Sequence, residues 1–397
     1  MSYRLAYFVS HPIQYQAPLL QFIASQSDIQ LQVFFYSDFS LGGYQDSGFG
    51  RTVKWDIPLV EGYSYAFLRC CGRKRWKGFL QQPIATNIRK QLELGKFDAI
   101  WVHGWKDLCS LQAVLAANQL GLPVFLRGES NGISESANPV KSNIRKAFLT
   151  WLFKKISAFL YIGTLNRGFY QKWGIRDEYL FSAPYAVDNK FFQQQALLAR
   201  PNREQLRRSL GLKPDRPVIL YASKLIDVKR PQDLLEAYRL LSPDGLQEPD
   251  PYLLFVGDGV LRSQLESEAK LTGWQSIRFL GFRNQSELPA FYDLCDVFVL
   301  PSDFEPWGLV INEVMNAAKP VIASNQVGAA ADLVKVDENG YVYPARSIVV
   351  LAERLKKVLD DPDKAIKMGK SSLTQIQSWN FTEDYMGLVS ALKATVG

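Results

Sequence analysis

Short apolar runs rich in β-branched residues alternate with amphipathic stretches along most of this chain, and few folds accept that alternation. It is clearest from Val297 to Glu313, VFVLPSDFEPWGLVINE. Val297 to Leu300 is apolar throughout and too short for a helix, Pro301 stops it, and from Gly308 the apolar residues recur at helical spacing. The stretch reads as strand, loop, helix. Repeated along a chain, that unit builds a parallel sheet covered by helices.

The same reading places strands at Leu5–Ser10, Ile29–Tyr36, Ala99–His103 and Val124–Arg127, with helices near Pro18–Ser25, Asn87–Leu94 and Cys109–Leu120 between them. Residues 38–82 are rich in glycine and aromatics and poorly periodic, so they are expected to form an elaborated loop region with short strands, one that could shape an acceptor site. Residues 194–216 are polar and basic and read as a linker. A second α/β series starts at Val218 and runs through Val256, Leu280 and the Val297 strand to Tyr343. The expected division is 1–195, 196–375, and a C-terminal helical tail, 376–397. Two α/β units that face each other would hold a ligand in the cleft between them.

At 397 residues, 47% hydrophobic and 21% charged, the chain can fill two cores. A net charge of +7 suits an anionic partner: a nucleoside diphosphate, an acidic glycan or a membrane surface. Nucleic acid is not expected, since zinc spacing, an RNA-binding signature and a recognition-helix pattern are all missing. Cys70, Cys71, Cys109 and Cys295 lack metal spacing and read as free thiols of a reducing compartment, which points to the cytoplasm. The start, SYRLAYFVS, reads as a first strand rather than a signal peptide, and no apolar run is long enough to span a bilayer. Pro139–Gly163 contains a basic helix with Phe148, Leu149, Trp151, Leu152 and Phe153. Its plain reading is a helix packed on its sheet. The sharper one, helped by Arg73-Lys74-Arg75-Trp76-Lys77, is peripheral contact with anionic lipid at the inner face of the membrane.

Two glutamates at a fixed separation mean little alone; Glu305 could be a charge near a helix start and Glu313 a solvated helix residue. Their setting is more specific. Phe-Glu-Pro-Trp-Gly-Leu after a buried strand, with seven residues between Glu305 and Glu313, resembles the Glu-x7-Glu element of retaining, nucleotide-sugar-dependent glycosyltransferases of family four. The resemblance spans the chain, most closely from about 216 to 345, and implies the α/β GT-B fold: two facing Rossmann-like domains with a C-terminal helix crossing back to the first. It implies that Glu305 reaches donor-sugar hydroxyls, that Glu313 holds the ribose, and that the amides at Gly308, Leu309 and Val310 bind the diphosphate, as helix starts can.

Ser223-Lys224-Leu-Ile-Asp-Val-Lys229-Arg230 resembles the family's Gly-Arg-Leu…Lys-Gly segment, with Lys224 and Lys229 as the diphosphate cations. Lysine at 224 keeps the charge and loses the bidentate fork of arginine. Gly257 and Gly259 match the Gly-x-Gly turn at the mouth of the nucleotide site, and Phe282 and Arg283 fall in the loop where the nucleobase lies. His103, in Trp-Val-His-Gly-Trp, resembles a histidine that contacts the donor sugar near its reacting carbon. His11 and Gln14 stand where relatives carry Gly-Gly, and Arg127, Glu129 and Asn131 are candidates for the acceptor side of the first domain.

The resemblance implies transfer with retention, a nucleoside diphosphate as leaving group, and a glycan or lipid-linked acceptor in polysaccharide or glycolipid synthesis. No Asp-x-Asp lies in a suitable loop, so neither a metal nor another cofactor is expected. The alternatives are another GT-B enzyme, an epimerase or a phosphorylase, or a nucleotide-sugar-binding subunit without turnover.

Overall fold

The computed structural model describes residues 2–71, 82–132, 139–241, 251–271 and 274–396, with the side chains of 139–141 excepted. The basic run at 73–77 lies outside the described residues. The chain divides into two compact units: one comprises 1–44, 57–185 and 381–397, the other 45–56 and 186–380.

The first unit is built on a seven-stranded sheet whose order is Leu180–Ser182, Ala158–Tyr161, Val124–Arg127, Ala99–His103, Tyr3–Val9, Ile29–Phe35, Ser64–Phe67. Neighbouring strands pair in parallel throughout. Its central strands are buried on both faces, with Leu5, Ala6, Phe8, Ile100 and Val102 fully enclosed. The face carrying Leu5, Tyr7 and Val9 packs under the C-terminal helix, Phe381–Val396, through Leu388, Val389, Ala391 and Leu392. That helix is therefore part of this unit.

The second unit carries a six-stranded parallel sheet ordered Ile277–Gly281, Tyr252–Val256, Val218–Ala222, Val297–Leu300, Val321–Ser324, Gly340–Tyr343. All four side chains of Val297–Leu300 are fully buried. At about 1.5–3 kcal/mol each, their burial alone fixes where the following loop begins.

The division differs from the expected one in three respects. The chain changes unit at Tyr185/Ala186 rather than 195/196, and again at Asn380/Phe381 rather than 375/376. Residues 45–56 leave the N-terminal unit altogether. The expected linker is packed structure. Helix Asn189–Ala199 is capped by Asp188, which accepts from the Phe191 amide at 3.0 Å, and buries Phe192 and Ala196. Arg203 then grips Asp293 through Nε at 2.8 Å, and buried Arg207 donates to the Lys213 carbonyl at 2.7 Å. Basic residues committed to internal carboxylates and carbonyls give a linker-like composition without a linker.

Candidate functional site

In the second unit the Val297–Leu300 strand delivers a loop held at several points. The Glu305 amide donates to the Gln326 carbonyl at 3.1 Å, and the Glu305 carbonyl accepts from the Gly328 amide at 3.0 Å. Trp307 is buried, stacks on Trp379 with ring centres 5.4 Å apart, and donates from Nε1 to Asn312 at 2.9 Å. The loop backbone is thus fixed, and the Glu305 carboxylate forms an ion pair with Lys229. Gly308 caps the next helix, Leu309–Met315, at a φ of 101° that disfavours a side chain.

Lys229 ends a 3-10 turn, Asp227–Lys229, and Arg230 follows it at a φ of 50°. This is the position where the resemblance expects glycine. A left-handed arginine costs about 1–2 kcal/mol; its bidentate contact with Asp233, 3.1 Å from Nε and 2.6 Å from Nη2, offsets that cost. Lys224 is bound to Asp46 at 3.0 Å.

Glu313 accepts from the Tyr292 hydroxyl at 2.5 Å. Burial pushes its carboxyl up to about 7, against the opposing pull of that hydrogen bond. The group therefore changes charge near neutrality, where a ribose hydroxyl donating to it would favour the carboxylate.

A Cβ on Gly257 would lie 1.9 Å from the Ser223 carbonyl oxygen, and one on Gly259 would lie 2.3 Å from that of Leu225. These glycines let the turn lie against residues 223–225, where Leu225 donates its amide to the Asp258 carbonyl at 2.9 Å. Arg283 pairs with Glu287 at 3.1 Å and lies over the Phe291 ring. Phe282 meets Phe49 edge-on at 4.8 Å.

In the first unit, His103 ends its strand inside a hydrogen-bonded cluster. Buried Gln16 accepts from the Tyr7 hydroxyl at 2.9 Å and places Nε2 3.1 Å from the His103 ring. The Tyr185 hydroxyl lies 3.2 Å from His103 Nε2 and donates to Glu129 at 2.5 Å, and Tyr15 reaches the same carboxylate at 3.4 Å. Burial raises the Glu129 carboxyl, but His103 and the two tyrosine hydroxyls outweigh it and hold it down to about 2. Glu129 is therefore a fixed anion beside a histidine.

Arg127 is not a cleft residue. It is wholly buried, pairs with Asp384 of the C-terminal helix at 2.6 Å, and donates to the Ala183 and Pro184 carbonyls at 2.9 and 3.3 Å. Asn131 is buried one loop away. His11 bonds Ser10 at 2.8 Å and packs on Phe39, while Gln14 is half-buried in the same loop; it is Gln16 that reaches His103. The signal in the sequence for Gln16 and Tyr15 is the polar loop HPIQYQAP after the first strand, whereas Tyr185 carries no signal of its own.

The units share the α/β, doubly parallel architecture of GT-B glycosyltransferases, and the fold is GT-B. Residues 202–374 match the family model described as glycosyl transferases group 1. An uncharacterized glycosyltransferase of Methanocaldococcus jannaschii is 32% identical over 179 residues, covering 44% of this chain and 44% of its own length. The alpha-D-kanosaminyltransferase of Streptomyces kanamyceticus is 30% identical over 174 residues, 43% of each chain. The chain thus spans less than half the length of these curated relatives. Over nearly the whole chain, the solved structure of Anabaena HepE in complex with UDP superposes with a TM-score of 0.72 at 18% identity, covering 99% of this chain and 100% of that one. The alpha,alpha-trehalose 6-phosphate synthase of Burkholderia multivorans gives 0.73 at 16% identity, covering 99% and 98%. Among the described residues no helix is long and apolar enough to cross a membrane.

Proposed function

We propose that this chain is a retaining glycosyltransferase that moves a sugar from a nucleoside-diphosphate sugar to a glycan or lipid-linked acceptor in polysaccharide or glycolipid synthesis. The observation that carries the reading is the Lys229–Glu305 pair, set on a pinned loop inside the segment that matches group 1 glycosyltransferases. In this reading Lys229 and Lys224 neutralise the diphosphate, Glu305 holds donor-sugar hydroxyls and Glu313 the ribose. A lysine-lined site needs no divalent metal, because fixed positive charge stabilises the leaving diphosphate directly. The leaving phosphate takes the acceptor proton in a front-side displacement, so the anomeric configuration is kept.

Titration calorimetry with UDP, GDP and ADP tests this. One nucleotide is expected to bind saturably, about tenfold or more weaker to Lys229→Ala, a loss of about 1.4 kcal/mol, and equally well with EDTA. Binding is also expected to weaken from pH 8 to pH 6, as Glu313 gains a proton across its value of about 7 and loses its acceptor role toward ribose. No binding of any of the three sinks the reading; binding without nucleotide release from any donor sugar would favour a subunit without turnover.

Membrane contact, in this reading, falls on the helix Pro139–Phe153. It buries Leu149 and Leu152 against its own sheet, and leaves Ile144 66% and Trp151 42% exposed. Sedimentation with anionic vesicles at low salt is expected to pellet the protein and Trp151→Ser to reduce the pelleted fraction severalfold; a protein that stays in the supernatant rules this contact out.

A further inference from the structure

Residues 45–56 are flanked on both sides by the N-terminal unit yet pack with the C-terminal one. Tyr44–Asp46 and Arg51–Val53 form a two-stranded ribbon of their own. What the ribbon touches is specific. Asp46 places its two carboxylate oxygens 3.0 and 3.3 Å from Lys224 Nζ. The same carboxylate accepts from the Gly48 and Phe49 amides at 2.8 and 3.0 Å, which fixes its aim. The Phe49 ring lies 4.6 Å from the ammonium, so Lys224 is held between a carboxylate and an aromatic face. Further along, Phe49 and Trp55 pack on Phe282, the Lys54 carbonyl accepts from Asn284 at 2.8 Å, and Asp56 accepts from the Ser286 amide at 3.2 Å.

Among these partners, Lys224 is the cation assigned above to the diphosphate and Phe282 lies in the loop assigned to the nucleobase, which Asn284 and Ser286 continue. We propose that residues 45–56 are a strap docked in the nucleotide-sugar site, with the Asp46 carboxylate on Lys224 where a donor phosphate would sit, so that donor binding requires its release. The inference rests on the donor-site reading of Lys224 and the 281–284 loop. Its physical basis is competition. One ammonium cannot give its full charge to both a carboxylate and a phosphate, and a tethered carboxylate is present at high effective concentration. Affinity for the donor is then reduced by the fraction of molecules in which the strap is docked.

Asp46→Asn tests this without disturbing the turn, because the amide oxygen still accepts from Gly48 and Phe49 while the charge is gone. Calorimetry with UDP, GDP and ADP is run on the full chain, on Asp46→Asn and on Lys229→Ala. The nucleotide that binds is expected to bind Asp46→Asn about tenfold more tightly, the gain for a strap docked in about nine molecules of ten. In the unsubstituted protein, hydrogen exchange of the 45–56 amides is expected to speed up at saturating nucleotide. Unchanged or weaker binding to Asp46→Asn, or slower exchange with nucleotide, would make the ribbon a fixed wall of the site and overturn the strap. If Lys229→Ala weakens binding while Asp46→Asn fails to tighten it, only the strap fails. If no nucleotide binds, or Lys229→Ala binds like the unsubstituted chain, the donor-site reading fails and takes the strap with it.

Discussion

Glu305→Gln is expected to slow nucleoside diphosphate release from the donor sugar by about 10²–10³-fold, the scale of losing one preorganised charge interaction in a transition state, while nucleotide affinity stays equal or rises. The two effects separate because Glu305 has two partners in this reading. Toward the sugar it is an acceptor for hydroxyls whose hydrogen bonds strengthen as positive charge develops on the ring, and an amide accepts them more weakly. Toward Lys229 it is an internal counter-ion, and neutralising it frees that ammonium for phosphate. The backbone of residue 305 is held by the Gln326 carbonyl and the Gly328 amide, so the substitution leaves the loop in place. Steady-state nucleotide release and calorimetry on the same variant read the two quantities. Turnover that survives would remove Glu305 from the chemistry; affinity and turnover collapsing together would make the ion pair a scaffold for the loop.

The largest stability effect is expected at Arg127. Arg127→Ala leaves the Asp384 carboxylate buried at 1% exposure without its partner, and removing one member of such a pair costs about 3–5 kcal/mol. The Ala183 and Pro184 carbonyls lose a donor as well. Replacing both charges, Arg127→Met with Asp384→Leu, is expected to recover part of that loss, because no isolated charge remains, but not all of it, because the carbonyls stay unserved. The midpoint and slope of urea unfolding of the full chain measure the difference, with nucleotide affinity expected to be unchanged. A destabilisation under about 1 kcal/mol, the scale of one ordinary hydrogen bond, would show that the pair does not hold the C-terminal helix.

What the sequence made legible follows from range. The Val297–Leu300 strand, the loop after it and the helix from Leu309 are local events, encoded by four apolar residues, a proline and a glycine within one short segment. Lys229 and Glu305 lie 76 residues apart; a family pattern put each of them in the donor site, but their ion pair is visible only in the structure. Partners that no pattern links across such a distance leave no trace in the local sequence. Arg127 looked like a cleft residue because it ends a strand, yet its partner is 257 residues away on the last helix. Asp46 gave no signal, since its short strand has no periodicity and its partner Lys224 is 178 residues on. Gln16 precedes the helix that begins at Ala17, and its side chain, making no capping bond, turns inward to Tyr7 and His103, a choice over Gln14 that no local pattern encodes. Periodicity reports which face is buried and is silent on which distant charge is buried with it.

The Arg127–Asp384 pair also sets an order on synthesis. A ribosome makes the chain from the N-terminus, so the strand that ends in Arg127 emerges long before the helix that carries Asp384. Until the last helix arrives, closing the sheet would bury a guanidinium without its counter-ion and leave the Leu5–Val9 face uncovered. These contacts run against the common sequence of events, in which the N-terminal domain finishes first. The first-made unit is the last to be completed, and for most of translation it is the half that needs shelter.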